Sequence, residues 1–294
     1  MKGLSTDEIM EIALGLVGWT ETPLDSGIHV PGENIKRLIF AMDVNVGLLS
    51  MAKQLGFDAV VGHHPCGALP LQGEVYRRHI DLLVEHGVER EKAMDTLAGV
   101  VETAVRRMAN RRFRMLYFES PNQTVLEVDA ARMINLPFMN IHNPFDENGR
   151  RLLQSKIDEA ALKNPRWKLG EVLNLIEVLP EARYAKEKYG ISPYTYIGEA
   201  DSEASKVVFV HGALVAPDAE IVKFYWRSGF RTVIALHSDF ENLERLRREN
   251  EGNLIFTGHF LGDSIGMTPF IEALRERGVE VACMGGIIDI RAPV

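Results

Sequence analysis

Two adjacent histidines, His63 and His64, close the apolar run Ala59-Val-Val-Gly62 and are sealed by Pro65. Further along, a histidine and an aspartate recur at one spacing, as His142-x-x-x-Asp146 and His259-x-x-x-Asp263, each after another short apolar run. Imidazole nitrogen with carboxylate oxygen is the donor mixture that zinc, manganese, iron and cobalt accept. Donors drawn from distant segments suit a site that keeps positions open for chemistry. A carboxylate bridges two cations that otherwise repel, so the set suits a dinuclear centre with ions ~3.5 to 4 Å apart. Each piece alone has a plainer account. A His-x-x-x-Asp pair also fits a local i, i+4 contact at a helix start, where Asp favours the dipole. Of the two adjacent histidines, one fits a capped core residue and the other a solvated one. Because neighbouring residues of a strand face opposite ways, the two serve one site only if the chain turns there or each addresses its own ion.

These residues need elements to carry them. Ala59 to Val61 follows the helix-stopping Gly56 and reads as a buried strand delivering His63 and His64. Leu38 to Met42 reads as an earlier strand and Asn45 starts a short helix, which makes a βαβ unit with parallel strands. Before it, Ser5 to Glu8 fits a capping box that opens an amphipathic helix ending near Gly18, followed by a loop through Pro23 to Gly32. Helical pattern runs from Gln72 to Asn110 with a break at Gly87, and Ser120-Pro121 opens another helix reaching about Ile134. Phe138 to Ile141 is a strand ending at His142, and a helix is expected from about Gly149 to Leu162. The stretch from Asn164 to Ser205 reads as a strand and a helix with loops, and a domain boundary is expected near Asn164, dividing 1–164 from 165–294. Val207 to Val210, a helix opened by Pro217, and Thr232 to Leu236 form a second βαβ unit that delivers His237. A charged helix from Asp239 to Asn250, a strand from Leu254 to Thr257, a helix from Thr268 to Arg277 and a last strand from Val279 to Met284 complete the chain. Gly56-Phe-Asp-Ala-Val-Val-Gly-His-His64 and Gly229-Phe-Arg-Thr-Val-Ile-Ala-Leu-His237 keep their Gly-Phe start, apolar core and final histidine in step, the pattern of a diverged internal duplication.

Composition narrows the function classes. With 294 residues and 46% hydrophobics the chain is long enough for one large or two medium globular domains. Only Cys66 and Cys283 are present, so neither a disulfide scaffold nor cysteine-rich structural zinc is available, and a metal must use His and carboxylate. A formal charge of −8 disfavours nucleic-acid binding by counterion release. The one basic cluster, Arg106, Arg107, Arg111, Arg112 and Arg114, fits a solvated helix end or a patch that steers an anion. No apolar run approaches the ~20 residues that span a bilayer, and Met1 to Gly15 carries acids inside its apolar pattern, unlike a signal peptide. A cytoplasmic location with no membrane partner is expected.

The ordered motifs resemble the Nif-three-like dinuclear-metal family, often labelled GTP cyclohydrolase I type 2. Met42-Asp-Val44 followed by Asp58-Ala-Val-Val-Gly-His-His-Pro65 is similar to its first motif, and Ile141-His-Asn-Pro-Phe-Asp146 to its His-Thr-Asn-x-Asp motif. Thr257-Gly-His-Phe-Leu-Gly-Asp263 is similar to its Gly-His-x-x-x-Glu motif, Leu236-His-Ser-Asp239 falls at its His-His pair, and Leu24-Asp-Ser-Gly27 echoes an early Asp-x-x-Gly turn. The resemblance implies an α/β fold of two related lobes, mostly parallel sheets with flanking helices and a metal site in the cleft between them. It implies two divalent ions per chain, zinc, iron or manganese, held by His63, His64, Asp146, His259 and Asp263, with His142 and His237 lining the cleft in a catalytic role. A homo-oligomer, commonly a homohexamer, is implied as well. Two departures stand out: Asp263 replaces the usual Glu, and Pro144-Phe145 replaces a polar-then-apolar pair. One of the two histidines at the 237 motif is missing too.

The expected function is metal-assisted hydrolysis of a small phosphorylated or nucleotide-like substrate by an activated water, with His142 or His237 passing the proton. The alternative class is a metal-containing regulatory or interaction protein without catalysis. An exchangeable position on the metal is what separates the two.

Overall fold

The computed structural model describes residues 2–66, 77–117, 122–211 and 219–292, and within them the side chains of all but 104, 105, 107–117 and 122–124. Among the described residues the chain is α/β, with eleven helices and two mixed, mostly parallel sheets. Two compact units share them. The first comprises Met1–Gln72, Arg106–Asn148 and Met267–Asp289, and the second Gly73–Val105, Gly149–Gly266 and Ile290–Val294. Each unit is therefore assembled from three chain segments, whereas a boundary near Asn164 supposes a single crossing.

In the first unit α1 (Thr6–Val17) starts on the expected capping box: Glu8 N–H donates to Ser5 Oγ, and the Glu8 carboxylate accepts from Ser5 N–H. Gly18 ends it in the left-handed region at φ 69°. The segment expected as loop contains a strand, β1 (Gly27–Val30), which pairs antiparallel with β4 (Phe138–Asn140). Its four residues lie inside a Gly- and Pro-rich stretch, so only the partner strand gives it away. The other strands are β2 (Arg37–Ala41), β3 (Ala59–Gly62) and β9 (Glu280–Met284), in the sheet order β1-β4-β3-β2-β9. The parallel crossover between β2 and β3 is α2 (Val46–Gln54), capped by the Asn45 side chain. Ile39, Val60 and Phe138 pack with Leu49 and Ala52 of α2 and with Val128 and Ala131 of α5 (Asn122–Met133) to form one core.

In the second unit the sheet order is β5-β8-β7-β6, from β5 (Tyr194–Ile197), β6 (Val207–Phe209), β7 (Thr232–Ala235) and β8 (Asn253–Phe256). Its connectivity repeats that of β1-β4-β3-β2, antiparallel edge strand included. The crossover helix α9 (Ala219–Arg227) ends ahead of Gly229 at φ 95°, as α2 ends ahead of Gly56 at φ 72°. Within this unit α3 (Arg78–Glu85), the first turns of α4 (Arg90–Tyr117), α9 and α10 (Phe240–Glu249) supply the apolar cover over Val208, Val233 and Leu254.

Three stretches differ from the sequence reading. Helix α6 (Asn143–Lys163) begins six residues before Gly149, because Pro144 sits in the first turn, where its missing N–H costs nothing. Similarly α11 (His259–Glu276) begins well before Thr268 and runs through Gly262, Gly266 and Pro269. From Asn164 to Ser205 the order is helix, helix, strand: α7 (Leu169–Glu177), α8 (Pro180–Tyr189), then β5. Glu171 accepts the Lys168 N–H to start α7 and Pro180 occupies the first position of α8, local signals that outweigh the apolar run. The expected helix starts at Gln72, Ser120-Pro121 and Pro217 lie outside the described residues, as do the side chains of the arginine cluster apart from Arg106. Among the described residues no helix is long and apolar enough to cross a membrane.

Candidate metal centre

Each unit gathers histidine and aspartate at the carboxyl ends of its strands. In the first, β3 hands its register to the next residues: His63 N–H donates to the Ala41 carbonyl and His64 N–H to the Met42 carbonyl. The backbone thus stays beside β2 while the chain leaves the strand, which answers the problem of two histidines in a row. Their rings lie 5.1 Å apart, tilted by 43°, and the His63 ring is 4.7 Å from that of His142. His142 caps α6, and its carbonyl accepts from the Phe145 and Asp146 N–H groups. One turn on, Asp146 comes back over it. Phe145, the departure from the family pattern, is fully buried 5.5 Å from the Phe40 ring and 4.7 Å from the Phe270 ring, and so anchors that first turn.

Asp146 is 4% exposed and receives two imidazoles. His63 Nε2 lies 3.4 Å from its Oδ1 and His142 Nε2 lies 3.6 Å from its Oδ2. These separations exceed the 2.7–3.2 Å of an N–H···O hydrogen bond. Donors on one ion with bonds of ~2.0 to 2.2 Å at tetrahedral angles stand about 3.3 to 3.6 Å apart, which is the spacing seen. Ligand atoms of His63, His142 and Asp146 all fall within 4.8 Å of one another.

Tautomers follow from the other ring nitrogen. His63 Nδ1 is 3.1 Å from the Ile141 carbonyl oxygen, His64 Nδ1 2.7 Å from Asp43 Oδ1, and His142 Nδ1 2.8 Å from Asp25 Oδ2. A carbonyl or carboxylate oxygen only accepts, so each Nδ1 carries the proton and a neutral ring keeps its lone pair on Nε2. Outer oxygens aligning imidazoles in this way are the usual second layer of a metal site. The early Asp-x-x-Gly turn now has a task. Ser26 Oγ accepts the His142 N–H, and Asn140 holds the Asp25 carbonyl through Nδ2 while its Oδ1 meets His29 Nε2. Burial pushes the His29 pKa down, so that ring stays neutral and donates to Asn140. Cys66, near by, is half-buried, and burial of its thiol pushes the pKa up to about 12, so the sulfur stays protonated.

In the second unit Asp263 is 2% exposed, one turn into α11. His259 Nε2 is 3.1 Å from its Oδ2, the expected i, i+4 contact. On the other oxygen, Oδ1, stands His211 Nε2 at 3.6 Å. Sequence reasoning missed His211, although Val207-Val-Phe-Val-His211 carries the signal used for His63, an apolar run ending in histidine. The His237 ring, exposed beyond β7, lies 4.9 Å from the His259 ring. Gly262 brings the α11 backbone in: a Cβ there would stand 2.5 Å from Leu236 Cγ and 2.8 Å from Thr257 Oγ1.

His63, His64, Asp146 and His142 are therefore together in one unit, and His259, Asp263 and His237 in the other. The fit of donor type, spacing and tautomer shows buried His/Asp groups able to hold metal. Comparison with known proteins gives the family. No family model and no curated protein matches the chain. Among solved structures, a NIF3 superfamily protein from Sphaerobacter thermophilus is 35% identical, covers 97% of this chain and 100% of its own, and superposes with a TM-score of 0.86. Reduced HcgD from Methanocaldococcus jannaschii is 15% identical over 96% of this chain and 97% of its own, TM-score 0.56. A structural-genomics protein of unknown function, ybgI, is 15% identical over 97% and 98%, TM-score 0.54. The last two share the fold alone. At 35% identity over nearly its whole length, this chain belongs to the NIF3 superfamily.

Proposed function

We propose that the chain is a metal-dependent hydrolase that uses two divalent ions, held by His63, His64, Asp146, His259 and Asp263, on a small phosphorylated or nucleotide-like substrate. What supports the metal reading is Asp146 lying between His63 Nε2 and His142 Nε2 at 3.4 and 3.6 Å, with both Nδ1 atoms committed elsewhere. Divalent ions in such a site polarise a phosphoryl or carbonyl oxygen and lower the pKa of water from ~15.7 to about 7. The chain's own residues orient and protonate. Asp25 and Asp43 fix the tautomers of His142 and His64, and the Ile141 carbonyl that of His63. His142 and His237 are proposed as proton carriers, imidazole being the side chain that exchanges protons near neutral pH.

Elemental analysis of the purified protein, with a hydrolase substrate screen run with and without chelator, tests the proposal. The expected result is near-stoichiometric divalent metal and an activity that chelator abolishes and added metal restores. Protein that refuses metal overturns the reading, and metal with no hydrolysis leaves a binding or regulatory role. A closed homo-oligomer such as a homohexamer is proposed with it, and light scattering that gives a monomer mass at micromolar concentration would exclude that.

A further inference from the structure

Asp263 has more company than a helix-start contact requires. If the pair His259 and Asp263 were only a local i, i+4 interaction, one imidazole would suffice. Instead a second ring arrives from a different element, 52 positions earlier in the chain, and faces the opposite carboxylate oxygen. His211 is 6% exposed and its Nε2 stands 3.6 Å from Asp263 Oδ1. That distance is too long for a hydrogen bond of ordinary strength, and it repeats the spacing of His63 and His142 about Asp146. A strand does not need histidine here. Phe40 pairs with Val61 in β2 and β3 as Phe209 pairs with Ile234 in β6 and β7, so the residue that corresponds to His211 in the first sheet is Met42, an apolar core residue.

The backbone that carries His211 is also fixed. Val210 N–H donates to the Ile234 carbonyl, and the outer edge of β6 is closed by Gln154, whose Oε1 accepts the Phe209 N–H and whose Nε2 donates to the Val207 carbonyl. The Phe209 ring packs 5.3 Å from the imidazole. We propose that His211 is a metal ligand, a donor to an ion held through Asp263 Oδ1. The inference rests on the metal-binding reading above and adds to it a ligand that lies outside the family-like motifs of the chain. It also accounts for a short carboxylate at 263: with an imidazole opposite each oxygen, the site has no room for a longer side chain.

Cobalt(II) serves as the probe, since its absorption reports its donors. The chelator-stripped full chain, His211→Gln and His211→Cys are titrated with cobalt, and the melting of each stripped protein is recorded. The expected result is about 100-fold weaker binding of one ion in H211Q. In H211C a thiolate-to-cobalt charge-transfer band should appear in the near ultraviolet, absent from the wild type although Cys66 and Cys283 are present. Cobalt bound by H211Q within about threefold of the wild-type affinity overturns the inference, as does cobalt-loaded H211C without the band. Lower stability of the stripped variants with unchanged cobalt affinity would mark a structural partner of Asp263 and overturn it equally. A wild-type chain that takes up no cobalt or zinc sinks the metal reading itself, which keeps the two failures apart.

Discussion

Asp25 stands in the sequence as part of the turn Leu24-Asp-Ser-Gly27, whose task only the folded chain shows. Its carboxylate at 2.8 Å sets the His142 tautomer, and its carbonyl is held by Asn140. Removing an outer partner that orients a working imidazole lowers activity by about 10- to 100-fold. Asp25→Ala should therefore lose hydrolytic turnover by that factor with its metal content and far-ultraviolet circular dichroism unchanged, and wild-type turnover would refute the assignment. At Asp263 length is the variable. Asp263→Asn removes the charge that offsets a second cation and should leave at most one ion per chain by elemental analysis. Asp263→Glu adds a methylene where imidazoles already stand at 3.1 and 3.6 Å, so it should lower metal content too. A Glu variant that holds two ions as tightly as the wild type would show that the site is roomier than its contacts imply.

At the scale of elements, the helices are set by close approach. Gly262 admits Leu236 and Thr257 against α11, so Gly262→Ala should cost about 1 to 3 kcal/mol through overpacking and shift the carboxylate one residue on. A lower melting temperature together with weaker metal binding is the expected outcome, and a neutral variant would mean that the strand end yields. A different device joins α3 to α9. His79 is fully buried with Nδ1 3.1 Å from Tyr225 Oη, and its pKa is pushed down to about 3 by burial and, secondarily, by Arg78. Burial raises the Tyr225 pKa in turn, so the phenol stays protonated and neutral. Between the unfolded value of about 6.5 and the folded value near 3, only the unfolded chain binds the proton at position 79. Stability from this group is complete above the unfolded value and falls as the pH drops through that window, by up to ~1.4 kcal/mol per unit. In chelator, urea midpoints of the wild type should fall between pH 7 and pH 5 more than those of His79→Gln. Parallel losses would remove His79 as the cause.

For the molecule as a whole, metal bound at the proposed site would be linked to folding, because ligands gathered from several chain segments exist as a set only in the folded state. An ion at 100 times its dissociation constant adds about 2.7 kcal/mol. Chelator should consequently lower the melting temperature of the wild type by several degrees and that of Asp146→Asn by much less. Equal shifts in differential scanning fluorimetry would separate metal from stability. The repeated strand order of the two units gives the duplication read from Gly56–His64 and Gly229–His237 a structural counterpart, since both segments are the third strand of the same connectivity. Even so the units have diverged at their ends: His64 meets Asp43, whereas His237 packs on His259.

Local chemistry by itself determined much of this protein. Apolar runs closed by histidine marked β3, β4 and β7, the capping box at Ser5 marked α1, and donor types with family motifs named the residues of the candidate site. These are short-range signals, written in a few neighbouring side chains. Only tertiary structure decided the rest. The strand β1 exists because β4 pairs with it, and the early starts of α6 and α11 depend on glycine and proline being tolerated where a neighbour approaches or an N–H has no partner to lose. Asp25, Asn140 and His211 could not be ranked from the sequence, because what singles them out is a carboxylate or carbonyl 2.7 to 3.6 Å away on a segment 50 or more residues distant. Such contacts are a property of the packed chain, where sheet register and helix placement bring remote oxygens to each imidazole.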